Sequence, residues 1–207
     1  MCAGKSNIDY GFTEEHFPEG IHLCLIYSND EERKKIISQF LKSGITHGEK
    51  VAYFADELPP GEVIKWLAKY NVIINNENNS GQFSVSAADQ TYCPNGTFDP
   101  EVMLLTLKTF YLTAKSENFP NSRVSGEMTW ALKGIPGSDR LMEYESKVNN
   151  ILMYYPVTAV CQYNVNKFDG AAILECLKVH PYMIAKGQIV QNPYYLKPEE
   201  YLKEKLR

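Results

Sequence analysis

Hydrophobic positions along the chain switch repeatedly between the period of a strand and that of a helix. Ile21-His22-Leu23-Cys24-Leu25-Ile26-Tyr27 is almost continuously apolar, as expected of a strand buried on both faces of a parallel sheet. Ser28-Asn29-Asp30-Glu31 opens a helix with a capping pattern, and Ile36, Ile37, Phe40 and Leu41 form its apolar stripe. Gly44 is its expected stop. Residues 51–55 read as a second strand ending at Asp56, and Val63, Trp66, Leu67 and Tyr70 as the next helix face. Residues 75–80 are a polar loop, and residues 82–86 alternate as a half-exposed third strand. Residues 90–96, with Tyr92 and Cys93, read as a longer loop of lid character. Asp99-Pro100 caps a helix carrying Leu104, Leu107 and Tyr111, and residues 123–127 form the fourth strand.

Ser138 is expected to cap a helix whose apolar face is Leu141, Tyr144, Val148 and Leu152, with Glu143 and Glu145 toward solvent. Residues 157–163 are the fifth strand, followed by a short helix that His180-Pro181 ends. Residues 182–184 and 188–190 flank Ala185-Lys186-Gly187 as a hairpin, and residues 198–206 form a charged helix. This rhythm predicts an α/β fold: a mainly parallel β-sheet sandwiched by helices, with a C-terminal β-hairpin. Residues 1–17 read as an N-terminal arm, either poorly ordered or an added edge element, that Phe12 and Phe17 could pin to the body. Residues 18–195 read as a single α/β domain and 196–207 as a helical tail.

With 207 residues the chain is long enough for one good core. A net charge of −4 without a basic stripe argues against nucleic-acid binding. No apolar run approaches the ~20 residues that span a bilayer, and the N-terminus lacks the apolar segment of a signal peptide, so a cytoplasmic location without membrane attachment is expected. Five cysteines without CxxC pairing read as free thiols in a reducing compartment.

The turn after Tyr27 is informative about chemistry. Residues 28–32 contain no glycine and three acids, so the backbone cradle of a phosphate loop is missing and anionic phosphate would be repelled. Val124-Ser125-Gly126-Glu127-Met128-Thr129-Trp130 instead reads as a strand running out into a loop with an acid and an indole. A glycine before the acid permits close approach of backbone or ligand. The carboxyl ends of the strands, where ligands of open α/β sheets bind, present Tyr27, Asp56, Ser86 to Asp89, Glu127 with Trp130, and Tyr163 with Asn164. This acidic and aromatic set, with almost no cation, suits a neutral or cationic small molecule. Tyr27, Trp130 and Tyr163 would form the walls and Glu127 the polar anchor; the alternative is a structural turn with Trp130 in the core.

His22 and Cys24 point to one face of their strand, Cys161 lies on a strand that could be its neighbour, and His180 follows later. These four could in principle hold zinc or iron, but their spacing matches no recognised metal pattern, so no metal and no cofactor is assigned. His22 and Tyr27 lie about 16 Å apart along the strand and belong to opposite rims. No catalytic constellation emerges: Ser125-Gly126-Glu127 is not a nucleophile elbow, and an isolated Glu127 is a weak general base.

Several segments together resemble one family. They are residues 20–27, Gly48-Glu49-Lys50-Val51-Ala52-Tyr53, Phe98-Asp99-Pro100, residues 123–132, Pro136-Gly137-Ser138, residues 141–145, Cys161-Gln162-Tyr163 and His180-Pro181. In order, from about residue 18 to 195, they look like the MEDS domain, the methanogen/methylotroph DcmR-type sensory domain. The resemblance implies a RecA/KaiC-like fold without a working phosphate loop, and a sensory role in prokaryotic signalling toward simple hydrocarbon derivatives. It implies His22, Cys24, Tyr27, Glu127, Trp130, Cys161, Tyr163 and His180 as ligand-site residues. Family members are often joined to histidine kinase, PAS or DNA-binding segments. No such segment is seen in this sequence, so output is expected through a signalling partner, such as a histidine kinase or transcription regulator, or through self-association into a homo-oligomer. The leading expectation is therefore a non-enzymatic sensory domain. A degenerate nucleotide-binding ATPase and a metal or redox sensor built on the His/Cys residues are the alternatives.

Overall fold

The computed structural model describes residues 6–73 and 81–205; the polar loop expected at 75–80, Cys2 and the last residue of the expected tail helix lie outside them. The elements run β1 (Asn7–Ile8), β2 (Phe17–Pro18), β3 (His22–Tyr27), α1 (Asp30–Thr46), β4 (Lys50–Ala55), α2 (Pro60–Lys69), β5 (Phe83–Ala87), α3 (Ala88–Tyr92) and α4 (Pro100–Ser116). There follow β6 (Ser122–Glu127), α5 (Leu141–Tyr154), β7 (Val157–Asn164), α6 (Gly170–Val179), β8 (Tyr182–Ala185), β9 (Gln188–Gln191) and α7 (Pro198–Lys205). Seven strands form one sheet in the order β5-β4-β6-β7-β3-β8-β9. All its pairings are parallel except β8 with β9, so the hairpin extends the main sheet beside β3. Its turn uses Lys186 and Gly187 at φ 50° and 70°, the left-handed pair that a tight hairpin needs.

The helices begin where their caps lie. The Asn29 side chain accepts from the Glu31 and Glu32 amides at the start of α1, and Asp99 accepts from Glu101 ahead of Pro100 in α4. Ser138 does not cap α5; it opens a short 3₁₀ turn ahead of Leu141. Residues 90–96 are not a lid, because Tyr92 ends α3 and is buried.

The sheet divides the interior into two layers. Leu23, Leu25, Tyr27, Val51, Tyr53, Ala55 and Val160 point toward α1 and α2. Cys24, Ala52, Phe54, Val124, Ala159, Cys161 and Tyr163 point toward α4, α5 and α6. This is the two-residue period of the strand made visible. No helix among the described residues is long and apolar enough to cross a membrane.

Residues 6–20 are not a loose arm. Tyr10, fully buried, packs beside Phe40 and donates from its hydroxyl to the Pro18 carbonyl at 2.9 Å. Ser43 Oγ donates to the Asp9 carbonyl at 2.8 Å. Beneath this segment Arg123, wholly buried, makes a forked pair with Glu49 at 2.6 and 2.5 Å and donates to the Phe40 and Asp9 carbonyls. Gly44 does not stop α1, which runs on to Thr46. It is glycine because a Cβ there would lie 2.6 Å from Arg123 Cδ and Nε.

An exposed helical Gly→Ala change stabilises by about 0.4–1 kcal/mol. At Gly44 the sign should reverse. Arg123 is held by Glu49 and cannot retreat, so Gly44→Ala should cost about 1–3 kcal/mol by overpacking. Urea unfolding of the variant beside the parent measures this, and any gain in stability would show that Arg123 is free to move.

Candidate functional site

The eight residues picked out in the sequence do not share one pocket. Alternation on the strands sorts them into two buried groups on opposite sides of the sheet.

The first group closes the carboxyl ends of the strands. Glu127, the last residue of β6, is 1% exposed. Its Oε1 accepts from Arg33 Nη1 at 2.9 Å and from the Tyr53 hydroxyl, and its Oε2 accepts from the Asp56 and Glu57 amides at 2.7 and 2.6 Å. Four donors leave no lone pair for a ligand. Arg33 Nη1 also reaches Gln162 Oε1 at 3.1 Å, and its guanidinium lies 5.4 Å from the centre of the Tyr27 ring. Burial raises the Tyr27 phenol above its ordinary range.

The rim is thus not short of cations. Lys133 pairs with Asp56 at 2.5 Å and Lys167 with Glu57 at 3.0 Å. Arg33 was legible as an odd member of the α1 stripe, at the right spacing before Ile36, Ile37 and Phe40. Trp130 is on the other side of the sheet, fully buried and stacked on Tyr92 at 4.8 Å with Phe98 also at 4.8 Å. Gly126 leaves room for the Tyr92 hydroxyl rather than for a ligand.

The second group lies at the other end of the sheet, on the α5/α6 side. His22 opens β3, Cys161 is in β7, Glu145 is in α5 and His180 follows α6. All four are buried, and one donor atom from each lies within 4.8 Å of the others. Glu145 Oε2 is 3.0 Å from His22 Nε2, 3.4 Å from Cys161 Sγ and 3.5 Å from His180 Nε2. Cys161 Sγ is 3.4 Å from His22 Nε2, and the Tyr163 hydroxyl donates to Glu145 Oε1 at 3.1 Å. The two imidazole rings are 4.2 Å apart. Cys24, in register with Cys161 on the neighbouring strand, sits beside them and donates to the Tyr182 carbonyl at 3.7 Å.

The electrostatics follow from depth. Burial, assisted by His180, lowers the His22 imidazole below its ordinary value. Burial would also lower His180, but the Glu145 carboxylate outweighs it and holds that imidazole above its ordinary value. Burial would raise Glu145, yet the two histidines keep its carboxyl well below the usual range. Burial pushes the Cys161 thiol up, and the adjacent carboxylate adds to this.

Glu145 was expected at the surface, and the structure corrects that: it is fully buried. It falls within the 141/144/145/148/152 stripe that packs on the sheet, so an acid inside an apolar helix face was the available signal.

An apolar groove reaches this second group. It has a volume of about 330 Å³ and is lined among others by Ile21, Leu152, Met153 and Tyr182, with His22 and Asn149 as polar members.

A family model described as the MEthanogen/methylotroph, DcmR Sensory domain matches residues 21–181. The chain belongs to this family, MEDS. A curated relative, the transcriptional repressor DcmR of Methylorubrum extorquens, is 27% identical over 160 residues, 77% of this chain. The chain spans just over half, 57%, of that relative's length. In fold the chain is similar to KaiC-like proteins. A KaiC-like protein of Pyrococcus horikoshii aligns over 87% of this chain and 80% of its own, with a TM-score of 0.61 at 17% identity. The flagellar accessory protein FlaH of Methanocaldococcus jannaschii aligns over 90% and 84%, with a TM-score of 0.63 at 15% identity. Family and repressor relative together support a sensory signalling role for this MEDS chain.

Because Glu127 holds the Arg33 charge inside the protein, Glu127→Gln should behave as a stability variant. Arg33 keeps its pair with Asp30 at 2.7 Å, so the loss should be about 1–3 kcal/mol, the cost of weakening the partner of several buried donors. Denaturant unfolding followed by tryptophan fluorescence measures it, and a loss below about 1 kcal/mol would mean that Asp30 alone suffices to hold Arg33.

Proposed function

We propose that this MEDS chain is a non-enzymatic sensory module of prokaryotic signal transduction that takes up a small, mainly apolar molecule, a simple hydrocarbon derivative. The ligand would occupy the groove at the amino-terminal rim of the sheet. The observation that carries this reading is the groove itself: apolar walls of Ile21, Leu152, Met153 and Tyr182, with His22 and Asn149 as polar members. Apolar walls with a few placed polar groups are what recognition of a small organic molecule requires. His22, Cys24, Cys161, Tyr163 and His180 form the polar floor behind the groove in this reading, while Tyr27, Glu127 and Trp130 belong to the frame. Output runs through a signalling partner, by analogy with a relative named as a transcriptional repressor.

The nucleotide-binding alternative is disfavoured by a local contact. Asn29 Oδ1 already occupies the Glu31 and Glu32 amides at the start of α1, where phosphate would otherwise bind, and Asp30, Glu31 and Glu32 surround that end.

Titration with short-chain alcohols, thiols, amines and halides, followed by amide chemical shifts, tests the proposal. Saturable shifts are expected at Ile21, Leu152 and Tyr182. Met153, 61% exposed, can accept a larger side chain without disturbing the core. Met153→Trp should fill the groove mouth and weaken binding about tenfold or more, about 1.4 kcal/mol. Failure of the whole series to move these amides, or full affinity in Met153→Trp, would sink the reading.

A further inference from the structure

Glu145 differs from the other buried carboxylates in what answers its charge. Glu49 faces the permanent guanidinium of Arg123, and Glu127 that of Arg33. Glu145 faces two imidazoles, a thiol and the Tyr163 hydroxyl, and no arginine or lysine among the described residues.

The hydrogen-bond partners fix which atoms the imidazoles offer. Asn149 Nδ2 donates to the Glu145, Ser146 and Val179 carbonyls at 3.3, 3.1 and 2.8 Å, so its Oδ1 is the acceptor for His22 Nδ1 at 3.2 Å. His180 Nδ1 donates to the Cys176 carbonyl at 2.8 Å. Both rings therefore carry hydrogen on Nδ1 and, when neutral, turn a bare Nε2 inward. His180 Nε2 is fully buried and its nearest polar neighbour is Glu145 Oε2, at a long 3.5 Å. His22 Nε2 lies 3.0 Å from the same carboxylate oxygen; with Nδ1 already on Asn149, that contact needs either a second ring proton or a cation between the two atoms. Imidazoles fixed through one nitrogen by an outer acceptor, with the other aimed at a common point, are the arrangement by which proteins orient metal ligands.

The separations agree. Four ligands at 2.0–2.3 Å from a tetrahedral ion are spaced roughly 3.4–3.7 Å apart. Of the six separations here, four are 3.0, 3.4, 3.4 and 3.5 Å, and all six lie within 4.8 Å. Charge agrees as well. A divalent ion with one carboxylate and one thiolate is neutral overall, which a site closed to water requires.

We propose that His22 Nε2, His180 Nε2, Glu145 Oε2 and Cys161 Sγ bind one divalent transition-metal ion of the zinc or ferrous class. The soft sulfur and two imidazoles exclude magnesium and calcium as the intended ion. On binding, the Cys161 S–H bond breaks, its proton leaves to solvent, and the sulfur forms the metal bond. The neighbouring Cys24, Cys176 and His180 grouping is a poorer site, because it would need the His180 Nδ1 that Cys176 O already holds. The proposal does not depend on the groove ligand.

The test uses the full chain, purified and stripped with chelator, then titrated with Co²⁺ alone. The expected result is a saturable thiolate-to-cobalt charge-transfer band at about one ion per chain, with the intense visible bands of a four-coordinate ion. Cys93→Ser, which changes a buried thiol outside the cluster, should keep the band. Cys161→Ser should lose it. Asn149→Leu, which releases His22, should weaken binding about 10–100-fold. Circular dichroism establishes that each variant is folded. The proposal is overturned if folded wild-type chain gives no charge-transfer band, or if the band survives in folded Cys161→Ser. Neither result bears on whether organic ligands move the groove amides, so the two readings fail separately.

Discussion

A carboxylate withdrawn from water has to be answered by charge and hydrogen bonds inside the protein, or the fold does not form. Among the described residues three carboxylates are under this constraint: Glu49, Glu127 and Glu145. Glu49 is answered by Arg123, which ties β6 to α1 and to the N-terminal segment. Glu127 is answered by Arg33, Tyr53 and two backbone amides, which tie β6 to α1 and to the loop after β4. Guanidinium charge does not titrate under ordinary conditions, so these two knots are fixed. Glu145 is answered only by groups whose protonation can change. That difference sets the Glu145 cluster apart from the other two.

The pleat keeps the centres apart. Along β7, Gln162 turns toward Arg33 and Ser125 on the α1 side, while Cys161 and Tyr163 turn toward Glu145. The sheet is thus a partition with a different polar system on each face. At the carboxyl ends, where open α/β sheets ordinarily bind ligands, the chain has turned its polar groups on one another. Asn29 holds the α1 amides, and Lys133 and Lys167 pair with Asp56 and Glu57.

The architecture was largely legible because each element announces itself locally. The apolar runs of β3 and β7, the capping pattern at 28–31, the Asp99 cap and the Lys186-Gly187 turn are short-range signals, and each element formed where they stand, with Asn29 rather than Ser28 as the cap of α1. What the sequence hid was partnership. The short run 182–185 does not reveal that it lies parallel beside β3. Arg33, Gly44 and Glu145 all sit on apolar helix stripes, where a polar residue or a glycine reads as an imperfection until its partner on a strand is known. His22, Cys24, Cys161 and His180 were noticed as residue types, but their meeting depends on register between β3 and β7 and on where α6 stops. Glu127 and Trp130, three residues apart, looked like one site because the strand ends between them and alternation no longer predicts direction. They fall on opposite faces.

Asn149 is where the groove and the Glu145 cluster meet. It lines the groove, its Oδ1 holds His22, and its Nδ2 holds the Val179 carbonyl at the end of α6. The α6 helix is in turn bound to α7 through the Tyr201 hydroxyl on Glu175 Oε2 at 2.7 Å. A molecule that displaces the Asn149 side chain must either leave His22 Nδ1 unpaired or free the last carbonyl of α6. Each is the loss of a buried hydrogen bond, about 1–3 kcal/mol. That is enough to shift a two-state balance by roughly one or two orders of magnitude. The groove therefore cannot be perturbed at Asn149 without altering either the His22–Glu145 contact or the seating of α6 against α5.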